Sequence, residues 1–407
     1  MINSIIGVSI FKLPADLAAK LGWLSPVSCL LAGAGILIVA GCVAEVSSRY
    51  TESGGLYLYA RDALGQFPGL LVAWLTWLTR IAAPAAAANL FCTYLAQFFP
   101  SLGTKQAEVL TLVLLLGHLA LLNYIGVRAG QRVSNVFTAT KVAFLLFFVL
   151  SGALAWVIHP EIRLRFEPPR ASLRDWFSAT LLLVYAYGGF EGALSVGGET
   201  KNPRRDTPLA LLTALAIVCV VYMAVQMIVL ALLPAAGASP RPLADAAARF
   251  LGPAGAFAIA VAALLSAYGY LSANVLHAPR ITLALAEQGD FPSFFGAIHP
   301  RYRTPHASIL IYSSLVFVFA ALGSFQWNAV LSAVSRLGVY GAIAISLPVL
   351  RRRRDGQAQF LLPLPHLFSA AALLFSMVLL TQMSRSELLV VGGTSAVALL
   401  HWLLIKR

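Results

Sequence analysis

Twelve apolar runs, each close to the length that crosses a bilayer, constrain this chain more than any other feature. A membrane-spanning helix needs about 20 mostly apolar residues to traverse about 30 Å of hydrocarbon. The runs fall at 1–20, 25–47, 68–98, 106–124, 133–157, 175–198, 208–233, 253–282, 307–323, 327–350, 361–382 and 386–405. Only 11% of the 407 residues are charged and 59% are hydrophobic, whereas soluble domains carry about 25% charge. Such a chain cannot cover a water-facing surface with polar groups, and it is too apolar for disorder. The expected fold class is an all-α integral membrane protein with 12 transmembrane helices.

Lys and Arg outnumber Asp and Glu by 29 to 16, for a formal net charge of +13. A nucleic-acid surface would gather these cations into a stripe on a soluble face. Here they sit between apolar runs, so lipid is the expected surrounding and no nucleic-acid partner is expected. With both termini placed in the cytoplasm, sixteen basic residues fall inside and nine outside, while Lys12, Arg80, Lys141 and Arg336 lie within spans. The bias follows the positive-inside rule. Arg351, Arg352, Arg353 and Arg354 anchor it, and the arginines of the fifth-to-sixth loop run against it. The expected location is the inner (cytoplasmic) membrane, multi-pass, with both ends cytoplasmic.

The longest stretches between spans, near 48–67 and 283–306, are rich in Gly, Pro and charge and read as loops or short surface helices. One membrane domain over 1–407 follows, divided into spans one to five (1–157), spans six to ten (175–350) and two further spans (361–405). The first run has no basic leader and no cleavage site of a signal peptide. Only six residues precede Gly7, about 9 Å of helix, so the native start is expected upstream of Met1. Cys29, Cys42, Cys92 and Cys219 lie in apolar runs without metal or disulfide spacing and read as small core residues. No metal and no cofactor are expected.

Spans one and six are both interrupted. The first carries Ile5-Ile6-Gly7-Val8-Ser9-Ile10-Phe11 and then Pro14; the sixth carries Tyr187-Gly188-Gly189-Phe190-Glu191-Gly192 and then Gly197-Gly198. Each glycine costs a helix interior about 1 kcal/mol relative to Ala. Close packing of small residues between helices explains either one alone. Their matching positions in two five-span halves point instead to an inverted-repeat transporter. Backbone freed at mid-membrane is tolerated only where it lines a cavity or is buried in protein. Half-helix N-termini then offer N–H groups to a carboxylate, and unwound carbonyls face an ammonium.

At these residues the chain resembles the amino acid–polyamine–organocation family. The run from Asn3 to Pro14 is similar to its first-helix pattern, with Ser9 where the family usually has a second Gly. Glu45 and the loop from Glu52 to Arg61 resemble its Gly-Gly-x-Tyr-x-Tyr loop without the leading Pro. Tyr187 to Glu191 and Gly198 to Pro208 resemble its sixth-helix pattern. Ala278-Pro279-Arg280, Gly289-Asp290-Phe291-Pro292, His299-Pro300-Arg301 and Thr304-Pro305 are also similar, as is the basic end of span ten. The resemblance implies the five-plus-five inverted-repeat (LeuT-like) fold with broken helices 1 and 6, and transport of amino acids.

It also implies roles. Ile5, Gly7, Val8, Ser9 and Ile10 would form the side of the site that takes the substrate carboxylate, and Tyr185, Ala186 and Gly188 the side that takes the ammonium. Lys141 would stand where sodium-coupled relatives hold a sodium ion, facing carbonyls near Ile5 and Ile6 and hydroxyls such as Ser266; the alternative is snorkelling to water. Glu191, the one carboxylate deep in span six, is either a proton-exchanging group or a structural carboxyl bonded to freed backbone. Tyr185 and Phe190 are candidate gates, or ordinary membrane core. Asn274 is a candidate pocket group on span eight. Arg80 and Arg336 have no partner identifiable from sequence. Acids on the expected pocket helices are few, Asp16 and Glu191, which favours a neutral or broadly accepted amino acid. The expected function is a sodium-independent, proton-linked amino acid permease. The alternatives are an exchanger of cationic amino acids or polyamines, and a transport-dead sensor. No nucleophile–base or metal spacing suggests an enzyme.

Overall fold

The computed structural model describes residues 5–50, 55–126, 131–158, 171–191, 203–353 and 358–405, without the side chains of 131–140 and 203–204. Asn3 and Ser4, Glu52 to Gly54, Gly192, the Gly197-to-Asn202 part of the sixth-span pattern, most of the fifth-to-sixth loop, Arg354 and both chain ends lie outside the described residues.

Every described element is helical. In chain order they are α1 (Leu13–Leu21), α2 (Ser25–Ser47), α3 (Gly55–Leu64), α4 (Gln66–Phe98), α5 (Lys105–Tyr124), α6 (Gln131–Ile158) and α7 (Leu173–Tyr187). Then come α8 (Pro203–Leu232), α9 (Pro242–Glu287), α10 (His306–Leu322), α11 (Phe325–Arg353), α12 (Pro365–Leu380) and α13 (Arg385–Ile405). Among the described residues eight helical stretches are long and apolar enough to cross a membrane, with α1 and α2 counted as one stretch, and α10 and α12 are shorter apolar helices. A 3-10 turn over Gly22–Leu24, with Gly22 at φ 53°, separates α1 from α2.

Where the sequence offers loops or short surface helices, one such helix forms, and the eighth run departs from its expected bounds for a local reason. The stretch near 48–67 contains α3, a surface helix whose Leu56, Tyr59, Ala60 and Ala63 are buried. The eighth run extends backwards to Pro242, because an alanine-rich segment with Pro in its first turn forms helix readily. Gly252, at φ 67°, then turns the chain into the span proper; only glycine takes that conformation without strain. The part of the sixth span before its break ends at Tyr187, and residues 192–202 lie outside the described residues.

The core is built around α4 and α11, the most extensively packed helix pair. Ala85, Ala86, Ala87 and Ala88 of α4 are fully buried, letting backbones approach closely as membrane interiors require. Polar side chains are turned inward, with Ser332, Ser335, Asn328 and Asn89 buried, while Leu114, Leu150, Leu374, Leu389 and Leu404 are exposed. That inversion suits a chain whose solvent is lipid. All four cysteines are free and buried.

At one end of the bundle a charged clamp joins α2, α11 and the approach to α12. Glu45 is fully buried. It accepts from Arg351 Nη2 at 2.7 Å and from the Leu362 N–H at 2.9 Å, and it faces Arg49 at 3.5 Å. A buried carboxylate is tolerable only with such partners. Glu45→Ala is expected to destabilise the protein by about 3 kcal/mol, the low end for a broken buried pair, because Arg351 keeps some solvent contact. Thermal unfolding in detergent measures this, and an unaltered midpoint would show that the clamp contributes nothing. Nearby, Arg61 of α3 meets Asp290 at 2.8 Å, and Tyr57 donates to the same carboxylate. Burial, then the Asp290 carboxylate, pushes the Tyr57 phenol upward.

Candidate functional site

The two interruptions form and meet. Backbone leaves helix at 6–8 before a 3-10 turn over Ser9–Phe11. In the sixth span, α7 ends at Tyr187, Gly188 is extended (φ −71°, ψ 167°), and Gly189 sits at φ 107°, a conformation that requires glycine. Ile5, Gly7, Val8 and Ser9 from one break, and Tyr185, Ala186, Gly188 and Gly189 from the other, line one cavity. Tyr270 of α9 and Arg336 of α11 complete its wall.

The freed backbone is satisfied by side chains, which buried peptide groups demand. Lys141, buried on α6, donates to the Ile6 carbonyl. The Tyr222 hydroxyl of α8 lies 3.0 Å from the Ala186 carbonyl and 3.3 Å from that of Ile5. Its single proton can serve one at a time, so this residue spans both breaks. Arg336 Nη1 donates to the Tyr185 carbonyl at 3.1 Å. The Gly189 N–H donates to Glu191 Oε2 at 2.7 Å.

Glu191 and Arg336 form the ion pair that the sequence could not assign. Arg336 Nε stands 3.2 Å from Glu191 Oε1, and Tyr340 donates to the same oxygen. The Nε–H is not aligned on that oxygen and makes no hydrogen bond. The guanidinium packs against Gly188 so closely that an added Cβ there would lie 1.7 Å from Arg336 Nη1. Absence of a side chain at 188 is therefore a steric requirement of the pair.

Other predicted residues fall less centrally. Ile10 is buried in the 3-10 turn and does not line the cavity. Phe190 is fully buried and stacks on Tyr340 at 5.6 Å, whereas Tyr185 lines the cavity and meets Phe325 edge-on at 6.1 Å. Asn274 lies one turn along α9 from Tyr270 and returns its amide to the Tyr270 carbonyl at 2.9 Å; Tyr270, not Asn274, reaches the cavity. Ser266 Oγ is buried without a hydrogen-bond partner among the described residues. Tyr222, Tyr270 and Tyr340 were not singled out in the sequence. Aromatics are common in membrane cores, and no local spacing distinguishes these three.

The cavity has a volume of about 20 Å³, enough for one water and far below the roughly 300 Å³ where small-molecule sites begin. On another side, the turn over Ala236–Ala238 covers α1, with Gly237 so near that an added Cβ would come within 2.9 Å of Ala19 Cα. Lys12 pairs with Asp16 at 3.0 Å and reaches the Ser239 carbonyl at 3.5 Å.

The family model for amino acid permeases matches residues 1–404. The chain belongs to the amino acid permease family. Its relatives transport different cargoes. The branched-chain amino acid permease BcaP of Bacillus subtilis (strain 168) is 25% identical, over 99% of this chain and 88% of its own length. The serine/threonine exchanger SteT of the same organism is 26% identical, over 88% and 82%. The vacuolar cationic amino acid transporter 4 of Arabidopsis thaliana is 27% identical over 86% of this permease, which spans 61% of that longer protein. Branched, hydroxylated and cationic side chains are all represented among these names, so membership of the permease family does not by itself fix side-chain selectivity.

Proposed function

We propose that this permease moves amino acids across the cytoplasmic membrane by alternating access about the paired breaks, without sodium and with a proton as coupling ion. The observation that carries the reading is the convergence of two interrupted helices on one cavity, with freed carbonyls held by side chains. The substrate carboxylate meets the N–H groups of Gly7, Val8 and Ser9 at the first break. Its ammonium takes the carbonyls of Tyr185 and Ala186, displacing Arg336 and the Tyr222 hydroxyl that hold them now. Entry is thereby tied to rearrangement of both breaks, the bistable element that alternating access needs. Lys141 supplies the cation at the Ile6 carbonyl, which supports independence from sodium.

Twelve crossings are consistent with the helices: the segment from Ile5 through α1, then α2, α4, α5 and α6 in the first repeat; α7 onward, α8, the part of α9 after Gly252, α10 and α11 in the second; α12 and α13 beyond. The basic bias of the loops favours cytoplasmic termini.

Uptake of radiolabelled amino acids into proteoliposomes, with and without a pH gradient, sodium and internal amino acid, tests the reading. Sodium-independent uptake that rises with an inward proton gradient is expected. Absence of uptake for every amino acid class under all these conditions would overturn it, and uptake only against internal amino acid would make the protein an exchanger. Gly7 offers a second test. An added Cβ there has its nearest neighbour at 3.8 Å, so Gly7→Ala should fold and bind. Gly7→Leu fills the cavity and should abolish substrate binding while the protein stays folded in detergent. Unchanged affinity in that variant would move the site elsewhere.

A further inference from the structure

A second cavity, of about 550 Å³, opens on the outside of the bundle as a slot between α7 and α12. Leu173, Trp176, Phe177 and Thr180 line it from α7, a single stripe at helical spacing. Another stripe of the same helix, Ala179, Leu182, Leu183 and Ala186, is buried in the core. The facing wall on α12 carries Ala371, Leu374 and Val378. Other contacts of α12 hold that wall away from α7. The Phe375 ring fills the space beside Gly35 of α2, where an added Cβ would lie 2.3 Å from it, and Ser369 donates to the Ala344 carbonyl of α11 at 2.6 Å. Ala371, with a single methyl group, leaves the gap open.

The rim of the slot continues the lipid-facing surface, since Leu31, Leu173 and Leu374 are exposed. Hydrocarbon rather than water meets such an opening, and leaving it empty would forfeit dispersion contacts along both walls. Its length suits one leaflet. Leu173 to Thr180 spans about 10 Å of helix, most of the roughly 15 Å that one leaflet contributes to the hydrocarbon core. One end is polar. There α7 begins with the capping box of Ser172 and Asp175, whose carboxylate is committed to the Ser172 N–H at 2.9 Å and hydroxyl at 2.7 Å. Arg174, in the same turn, is exposed and lies one turn before Phe177 on the helix surface. It is also among the arginines of the fifth-to-sixth loop that run against the charge bias of the other loops. An apolar lining alone selects no lipid, because bulk hydrocarbon offers the same contacts; a cation at the mouth does select, for an anionic headgroup. We infer that the slot binds one anionic phospholipid, with an acyl chain between α7 and α12 and the headgroup phosphate at Arg174. The chain braces the helix that ends at the second break.

Delipidated protein in detergent, offered equal amounts of phosphatidylglycerol and phosphatidylcholine and weighed by native mass spectrometry, provides the test. One phosphatidylglycerol per chain should be retained in preference. Arg174→Gln, at an exposed position, should cut that preference about fivefold, the scale of one basic residue near an anionic lipid surface. Ala371→Trp plugs the slot and should abolish retention, with thermal unfolding checking that the variant folds; if it does not, Arg174→Gln and the fluorescence below decide. Trp176 reports the location. Phosphatidylglycerol with brominated acyl chains should quench a part of the fluorescence that Trp176→Phe lacks, saturating near one lipid per chain. Quenching of that part to the same extent by brominated phosphatidylcholine, rising with the bulk lipid fraction, would mark ordinary solvent lipid and overturn the inference. So would unchanged preference in Arg174→Gln, or full retention in a folded Ala371→Trp. None of these readouts involves uptake, so the permease reading stands or falls separately.

Discussion

Lys141→Ala is expected to lower sodium-independent uptake by roughly 5- to 150-fold, the equivalent of about 1–3 kcal/mol. The Lys141 ammonium is buried and donates to the Ile6 carbonyl, directly beside Gly7 at the first break. Alanine leaves that carbonyl without a donor in a region water does not readily reach. The orphaned group costs its full desolvation, and the break relaxes toward whatever geometry re-satisfies it. Lys141→Arg keeps a cation but replaces a compact ammonium with a larger planar fork, so it should restore uptake only in part. Lys141→Ala uptake that becomes dependent on added sodium would be the strongest support, since an external cation would then fill the place of the missing one. Steep sodium dependence in the unmodified protein would defeat the assignment. So would full activity of Lys141→Ala without sodium.

Local physics made much of this legible, and distance in the chain hid the rest. Apolar run length located the helices because a bilayer sets that length. Glycine clustering located the breaks because each residue there would cost a helix. The Lys141 contact followed from the resemblance, and the structure supplies its acceptor, Ile6. Snorkelling, the other reading, is not the arrangement seen. The Glu191–Arg336 pair was hidden because its members sit on helices four spans apart, and single-sequence spacing carries no information on which faces meet. The same applies to Tyr222, whose hydroxyl touches carbonyls of both breaks. Asn274 lies one helical turn from Tyr270, which lines the cavity and carried no signal of its own in the sequence.

Glu191→Ala is expected to destabilise the permease by about 3–5 kcal/mol, the cost of leaving one member of a buried ion pair behind. Glu191 holds together four groups: the Arg336 guanidinium, the Tyr340 hydroxyl, the Gly189 N–H and, through Arg336, the Tyr185 carbonyl. Its removal exposes the second break to rearrangement and leaves Arg336 with no carboxylate among the described residues. If Glu191 is structural, Glu191→Gln should also lower the unfolding midpoint, because an amide cannot balance the guanidinium. Combining it with Arg336→Gln should then recover most of the loss, the non-additivity expected of contacting residues. If Glu191 instead carries the coupled proton, Glu191→Gln should remain near normal stability and lose the response of uptake to a proton gradient. The crowded partners around the carboxylate favour the first outcome. Thermal unfolding of the single and double variants, measured beside uptake at two external pH values, separates the roles. A stable Glu191→Gln whose uptake no longer follows the gradient would sink the structural assignment and make Glu191 the proton site.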